Sequence, residues 1–193
     1  MSIQGKFSLI ETALELAQFL DKASEKAISK ELSEVVNLHA KIAAASIWIP
    51  VPGVAIAVAF ANTWKMYARI NKVAGISFSK NLLKSIAAGI GATLFSNLLS
   101  IGVAETIKAV IPGLGTVFTG LTMSASIYTS VIVAGVVYMK ALTALLKQKS
   151  ELTAANLQQA VDSIVNDKSQ IQEILDAHKE HQDLKGSRET DSL

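Results

Sequence analysis

Three long stretches of this chain contain no charged residue: residues 42–62, 85–104 and 109–139. They belong to a central block, residues 42–139, that contains six Lys or Arg residues and one acidic residue. Uncharged apolar runs of about 18 residues or more are typical of helices that cross a membrane. We therefore predict an all-α, membrane-associated protein built from helical hairpins. The alternative is a soluble helical bundle that buries a hydrophobic hairpin at its centre.

The composition excludes several classes of protein. Half of the 193 residues are hydrophobic and 18% are charged, the opposite of the balance found in disordered chains. The absence of cysteine excludes disulfide bonds, cysteine-bound zinc and cysteine nucleophiles. A net charge of +2 is too small to indicate a nucleic-acid partner. His178 and His181 come nearest to a metal-ligating pair, and we expect no metal site.

Motifs of catalysis are also missing from the sequence. It contains no phosphate-binding loop, no dinucleotide fingerprint, no zinc-protease helix and no nucleophile elbow. No pair of carboxylates lies in an apolar segment, since Glu105 is the single acid of the central block. We therefore predict a non-enzymatic protein without cofactors.

Two charged, amphipathic helices are predicted to flank a hydrophobic helical core at residues 42–145. Residues 1–41 contain one helix that begins at a capping box of Ser8 and Glu11. Its predicted apolar stripe consists of Phe7, Ile10, Leu14, Ala17, Leu20, Ile28, Leu32, Val35 and Leu38. Residues 146–185 predict a polar helix with weak heptad spacing, and residues 186–193 a disordered tail. The heptad-spaced residues are Val161, Ile164, Ile171 and Leu175.

Pro50, Pro52 and Gly53 interrupt the first uncharged segment near its centre. Proline lacks a backbone N–H and clashes with the preceding helical turn, so this run ends a helix. Each arm of segment 42–62 is then about nine residues, roughly 14 Å, or half the thickness of a bilayer core. We predict a re-entrant hairpin, with an ordinary interhelical turn as the alternative. The residues placed to anchor this hairpin at the headgroup level are Trp48 and Trp64.

A second break, at Pro112, Gly113 and Gly115, separates the other two uncharged segments. Each segment is long enough to span a bilayer once, so residues 85–139 predict a helical hairpin across the membrane. Small residues at a spacing of four let helix backbones approach closely. On the first helix the pairs with this spacing are Ser85 with Gly89, Ala87 with Gly91, and Ala88 with Ala92.

Four hydroxyl residues on the returning helix share one face. Thr119, Thr122, Ser126 and Thr129 follow steps of three, four and three. The face predicts either a polar path between subunits or hydroxyls that bond to helix carbonyls and hold neighbouring helices together. We favour the second interpretation, because no ionisable residue joins the face.

A basic helix lies between the first two uncharged segments. Lys65, Arg69 and Lys72 form one face, and Gly75 is predicted to end the helix. Loops rich in Lys and Arg stay on the cytoplasmic side of a membrane. We therefore predict that this loop and both termini lie on the cytoplasmic side of the membrane. The basic face is predicted to contact lipid headgroups or a partner, or to be solvated.

The order of these motifs resembles that of the YcjF-like bacterial family of hydrophobic domains, which also occur C-terminal to some Era-type GTPases. The resemblance covers about residues 40–145. The matching segments are Ile49-Pro50-Val51-Pro52-Gly53, Met66-Tyr67-Ala68-Arg69-Ile70, Ala74-Gly75-Ile76 and Ile111-Pro112-Gly113-Leu114-Gly115. It implies an all-helical, membrane-associated bacterial domain linked to a GTPase. This chain has Val54 and Ala55 after the first turn, where family members often carry a polar or acidic residue.

These observations favour a membrane protein that serves as a docking or assembly platform. The expected partners are a lipid membrane, further copies of the chain, and a GTPase or another protein bound through the terminal helices. Two alternatives stay open: a pore- or channel-forming protein, and a soluble cytoplasmic helical bundle that acts as an adaptor.

Overall fold

A computed structural model describes residues 8–20, 25–49, 54–98 and 115–176 of the chain. Within these ranges it describes the backbone but not the side chains at positions 47, 54–56, 94–98 and 115–123. The helices are α1 at Leu9–Gln18, α2 at Glu25–Ala45, α3 at Val54–Ala74, α4 at Lys80–Leu98, α5 at Gly115–Lys147, α6 at Ala154–Val165 and α7 at residues 168–176, and a 3₁₀ turn at Ser46–Trp48 extends α2. These ranges contain no strand, so the all-α prediction is confirmed.

The chain forms two compact units. Unit 1 consists of Met1–Ser33 and Val136–Leu193, and unit 2 of Glu34–Gly135. The two boundaries between these units fall inside helices, one within α2 and one within α5.

In unit 2, consecutive helices run antiparallel. His39 of α2 bonds to Asn62 of α3, so the end of α2 lies beside the start of α3. A Cβ at Gly91, late in α4, would lie 3.2 Å from the Phe60 ring, early in α3. The α5 segment runs against α2 in the same manner, because the Ser124 hydroxyl donates to the Ala44 carbonyl and the Tyr128 hydroxyl to the Asn37 side chain.

Local sequence signals account for the ends of α3 and α4. Gly75 has a φ of 74° and follows the last residue of α3, as predicted. Its N–H donates to the Lys72 carbonyl, and the next N–H, of Ile76, donates to the Asn71 carbonyl. This pair of bonds is the Schellman motif. Ser79 caps α4, since its hydroxyl accepts from the Leu82 N–H at 3.3 Å.

The N-terminal segment is two helices, and the prediction of one continuous helix is wrong. The Ser8 cap is confirmed, because its hydroxyl accepts from the Glu11 N–H at 3.2 Å. Helix α1 nevertheless ends at Gln18, where the N–H groups of Phe19 and Leu20 bond three residues back and tighten the last turn.

The buried face of these helices overlaps the predicted apolar stripe, since Ala17, Leu32 and Val35 are buried, but it is offset from the rest of that stripe. Leu16 and Ala17 of α1 are fully buried, whereas Ile10 is exposed. In α2, Val36 is buried and Leu38 is exposed. The period of three and four was correct, but tertiary packing chose the buried side.

The C-terminal segment is likewise interrupted, between α6 and α7. Helix α6 ends at Val165, and the Asp167 carboxylate accepts from the N–H groups of Ser169 and Gln170 at 3.0 and 3.2 Å. Hydrogen bonds from Ser169 and Gln170 lower the pKa of Asp167 from 3.8 to about 2. Asp167 therefore starts a new helix where the sequence predicted continuity. The heptad-spaced Val161, Ile164, Ile171 and Leu175 are all buried.

Both predicted hairpins take a different form where the structure describes them. The arms of segment 42–62 are not separate short helices, because they belong to α2 and α3, each of 21 residues. Helix α4 begins at Lys80, before the predicted start, and α5 runs on to Lys147. Gly115 is the first residue of α5. The turn residues Pro50, Pro52, Gly53, Pro112 and Gly113 lie outside the described residues, as do His178 and His181.

Unit 1 has a core of its own. Its fully buried large side chains include Leu16, Leu32, Tyr138, Met139, Leu142 and Leu157. At its surface Lys147, in the last turn of α5, forms an ion pair with Glu15 of α1. The same ammonium lies 5.4 Å from the ring centre of Phe19. A cation near a helix C-terminus is favourable, so this lysine stabilises both the end of α5 and the α1 contact.

Candidate functional site

Unit 2 exposes a group of large apolar side chains at one end, which we call the apolar end: Ile42, Trp48, Ile49 and Phe60. Trp48 is 54% exposed, and the other three range from 38% to 44%. Leu38 is exposed one turn before Ile42 on α2, next to the exposed Lys41. Single exposed apolar residues are normal, but a group on adjoining segments marks a contact surface.

A basic face continues from the apolar end along α3. Lys65, Arg69 and Lys72 are all exposed, while Met66 and Ile70 on the opposite side are fully buried. Residues 54–98, which include both α3 and α4, contain no Asp or Glu. The basic face predicted from the sequence therefore lies on the surface, with no carboxylate on its own helix or on α4.

Trp64 joins the apolar end to the basic face. It lies one turn after Phe60 on α3, a distance of about 6 Å along the helix axis. The ammonium groups of Lys80 and Lys84, on the first two turns of α4, lie 5.1 and 5.5 Å from its ring centre. Apolar, aromatic and cationic side chains therefore follow one another along the α3–α4 pair.

A buried polar pair lies behind this surface. The His39 ring nitrogen Nδ1 is 2.7 Å from Asn62 Oδ1, and Asn62 Nδ2 donates to the His39 carbonyl. His39 is only 4% exposed. Its Nε2 has no hydrogen-bond partner among the described residues. Since Asn62 Oδ1 can only accept, Nδ1 carries the proton and Nε2 is the bare acceptor of a neutral imidazole.

The surroundings of His39 favour this neutral form. Burial lowers its pKa below the ordinary 6.5, partly opposed by the Asn62 hydrogen bond, and the charges of Arg69 and Lys65 lower the pKa further. Sequence reasoning did not identify this pair. His39 and Asn62 are isolated polar residues in apolar surroundings, and no local pattern links them.

The two predicted packing glycines of α4 differ in their surroundings. Gly91 faces the Phe60 ring, whereas a Cβ on Gly89 would meet nothing within 4 Å. A tighter contact than that of Gly91 occurs at a glycine that the sequence did not single out, Gly135 of α5. A Cβ there would lie 2.7 Å from Cγ1 of Val36 on α2.

Described hydroxyls of α5 bond in two ways: those of Ser130 and Thr143 donate to carbonyls of α5 itself, and those of Ser124 and Tyr128 donate to α2. Ser126 and Thr129 are half-buried, and the Ser126 carbonyl accepts from the Ser130 hydroxyl at 2.7 Å. The side chains of Thr119 and Thr122 lie outside the described residues. The choice between a polar path and helix packing for the four predicted hydroxyls therefore stays a prediction.

One described helix is long and apolar enough to cross a membrane, the segment Ser124–Lys147 of α5. Its most apolar window is 72% buried inside the protein. From residue 131 to residue 143, every side chain except that of Lys140 is buried. A helix that is apolar on all sides fits either a protein core or a membrane span, and here it occupies a protein core.

The described residues contain no group of three or more metal-ligating side chains. No protein-family model, curated protein or solved structure matches this chain. The functional assignment therefore depends on the surface of unit 2 and on its physical chemistry.

Proposed function

We propose that this chain is a non-enzymatic protein that binds a membrane surface through the apolar end of unit 2. The observation that carries the proposal is the order of exposed and half-buried side chains along α3. Phe60 comes first, Trp64 follows one turn later, and Lys65, Arg69 and Lys72 occupy the next two turns. The same order of acyl-chain, interfacial and headgroup chemistry is found across half of a lipid bilayer.

The depth of insertion agrees with the dimensions of the helices. Interfacial helices bury apolar side chains about 5–10 Å into the headgroup and acyl boundary. Trp64 is one helical turn, about 6 Å, from Phe60. Phe60 itself is six residues, about 9 Å, from the start of α3 at Val54. Insertion of the apolar end to the level of Phe60 therefore leaves Trp64 at the interface and every cation of α3 in the headgroup region. The expected re-entrant segment 42–62 becomes the inserted end of a helix pair in this proposal.

The helices of unit 1 remain in water and provide the docking or assembly surface. The proposed partner, from the family resemblance, is a GTPase or a second copy of this chain. The bacterial inner membrane, with both termini in the cytoplasm, is the proposed location. A soluble adaptor is the second candidate, favoured by the burial of α5 inside the protein.

Flotation of the purified full-length chain with phospholipid vesicles distinguishes the two candidates. The test variant is Trp48→Asp with Ile49→Asp, which places two charges at the apolar end. The matched control is Leu152→Asp, since Leu152 is an exposed apolar residue of unit 1. Burying one such side chain contributes about 1.5–3 kcal/mol, so we expect the test variant to lose at least about tenfold in vesicle affinity.

Far-ultraviolet circular dichroism of each variant checks that the helices are intact. Floating of the wild type and the control, but not of the test variant, supports membrane binding. If the wild type remains unbound with every vesicle composition, the soluble adaptor replaces the proposal.

A further inference from the structure

We propose that Trp64, Lys80 and Lys84 form a binding site for the phosphate group of an anionic phospholipid. The site deepens the proposed membrane function and rests on it, because it names the lipid chemistry that the surface of unit 2 selects. It lies on α3 and α4, and none of its three residues belongs to the basic face predicted from the sequence.

The two lysine side chains converge on one aromatic ring. Lys80 and Lys84 are one turn apart on α4, and both ammonium groups lie within 5.5 Å of the Trp64 ring centre. Cations over an indole are held by the negative face of its π-system. The indole therefore fixes two flexible side chains at a common place on the surface.

This arrangement is unfavourable for the helix taken alone. Like charges at positions i and i+4 repel, and cations in the first turn oppose the positive end of the helix dipole. Helix α4 has no acidic residue in its first turn. Among the described residues, neither lysine forms an ion pair, so both charges are left for an external anion.

Charge complementarity identifies the kind of anion. Five Lys or Arg residues and no acid lie within residues 54–98, so this surface attracts negative charge without discriminating among sources. The position of the site beside the apolar end favours the phosphate of a lipid over free phosphate. Trp64 lies one turn from the exposed Phe60, and a phospholipid joins a phosphate to acyl chains over a similar distance.

The experiment follows Trp64 directly. The chain has two tryptophans, so Trp48→Phe leaves Trp64 as the single indole fluorophore and keeps an aromatic ring at the apolar end. In that background, fluorescence titration measures affinity for vesicles of phosphatidylcholine alone and for vesicles that also contain phosphatidylglycerol. A third titration uses soluble glycerol phosphate, which carries the phosphate without acyl chains.

The test variant is Lys80→Gln with Lys84→Gln. Its control is Lys26→Gln with Lys168→Gln, which removes the same charge from exposed positions of unit 1. We expect phosphatidylglycerol to strengthen vesicle binding, and the test variant to lose about tenfold to thirtyfold of that affinity. Binding to phosphatidylcholine alone should be unchanged in both variants.

Other outcomes overturn the site. An equal loss in test and control variants means that net charge, not the Trp64 cluster, attracts the lipid. Binding to both vesicle types with equal affinity leaves the membrane function in place and removes the phosphate site. Tight binding of glycerol phosphate without vesicle binding shows a soluble ligand, and contradicts both proposals. No response to vesicles of either kind also contradicts both.

Discussion

Gly135 of α5 lies so close to Val36 of α2 that a Cβ at position 135 would be 2.7 Å from the Val36 Cγ1 atom. Real Cβ atoms do not approach other atoms this closely. The missing side chain is therefore what allows α5 to pack against α2 at this point in unit 2.

The first prediction is that Gly135→Ala destabilises the protein. Alanine improves helix propensity by about 1 kcal/mol, but overpacking a core contact costs about 1–3 kcal/mol. Val36 cannot easily turn away, since valine in a helix has one strongly preferred rotamer. We expect a net loss of about 1 kcal/mol, measured by urea denaturation.

Gly89→Ala is the matched control, because a Cβ at position 89 would meet nothing within 4 Å. It should stabilise the protein by about 1 kcal/mol through helix propensity alone. The double variant Val36→Ala with Gly135→Ala should be more stable than the sum of the two single changes predicts. Simple additivity would show that the approach of the two helices is not the cause.

The second prediction concerns His39 and acid. The pKa of His39 is lowered below 6.5 in the folded protein, so the unfolded chain binds a proton more readily. The contribution of His39 to the free energy of unfolding is therefore fully present above pH 6.5 and decreases as the pH falls below that value. Urea denaturation in steps from neutral to mildly acidic pH measures the decrease.

His39→Asn should remove this part of the pH dependence. An asparagine amide keeps a donor for Asn62 Oδ1 but does not titrate. The control is His178→Asn with His181→Asn, the other two histidines of the chain. Asp167 affects stability only at lower pH. Folding lowers its pKa from 3.8 to about 2, so its contribution to stability is lost as the pH falls through that interval. An unaltered profile in His39→Asn would assign the titration to another group.

The third prediction is that Lys149→Gly stabilises the protein. Lys149 follows the end of α5 with a φ of 50°, in the left-handed region. Its N–H and that of Ser150 bond to the carbonyls of Leu146 and Leu145, the arrangement in which glycine is preferred. A left-handed conformation costs a residue with a Cβ roughly 1–2 kcal/mol, and the flexibility that glycine adds to the unfolded chain offsets part of it.

We expect a gain of about 0.5–1 kcal/mol in the free energy of unfolding, seen as a higher thermal midpoint. The neighbouring change Gln148→Gly serves as the comparison. Gln148 has no positive φ, so glycine there should lower the midpoint. A lower midpoint in Lys149→Gly would mean that its side chain makes a stabilising contact that outweighs the backbone strain.

Several features of this protein follow from short segments of sequence. The caps at Ser8 and Gly75 depend on residues three to five positions apart, and the sequence predicts both. The all-α class followed from the long uncharged apolar runs and from the apolar periodicity of the flanking helices. The three cations of α3 share a face because the helical period places them there. Such interactions are local, so the order of residues is sufficient to specify them.

Interactions between distant segments were decided by tertiary structure. The rotation of α1 and α2 depends on which neighbour each helix meets, so Leu38 is exposed and Val36 is buried against Gly135. The His39–Asn62 pair and the two lysines over Trp64 join residues on different helices. The sequence specifies the chemistry of each side chain. Long-range packing determines which residues contact one another, because the free energy of burying a side chain depends on the surface that covers it.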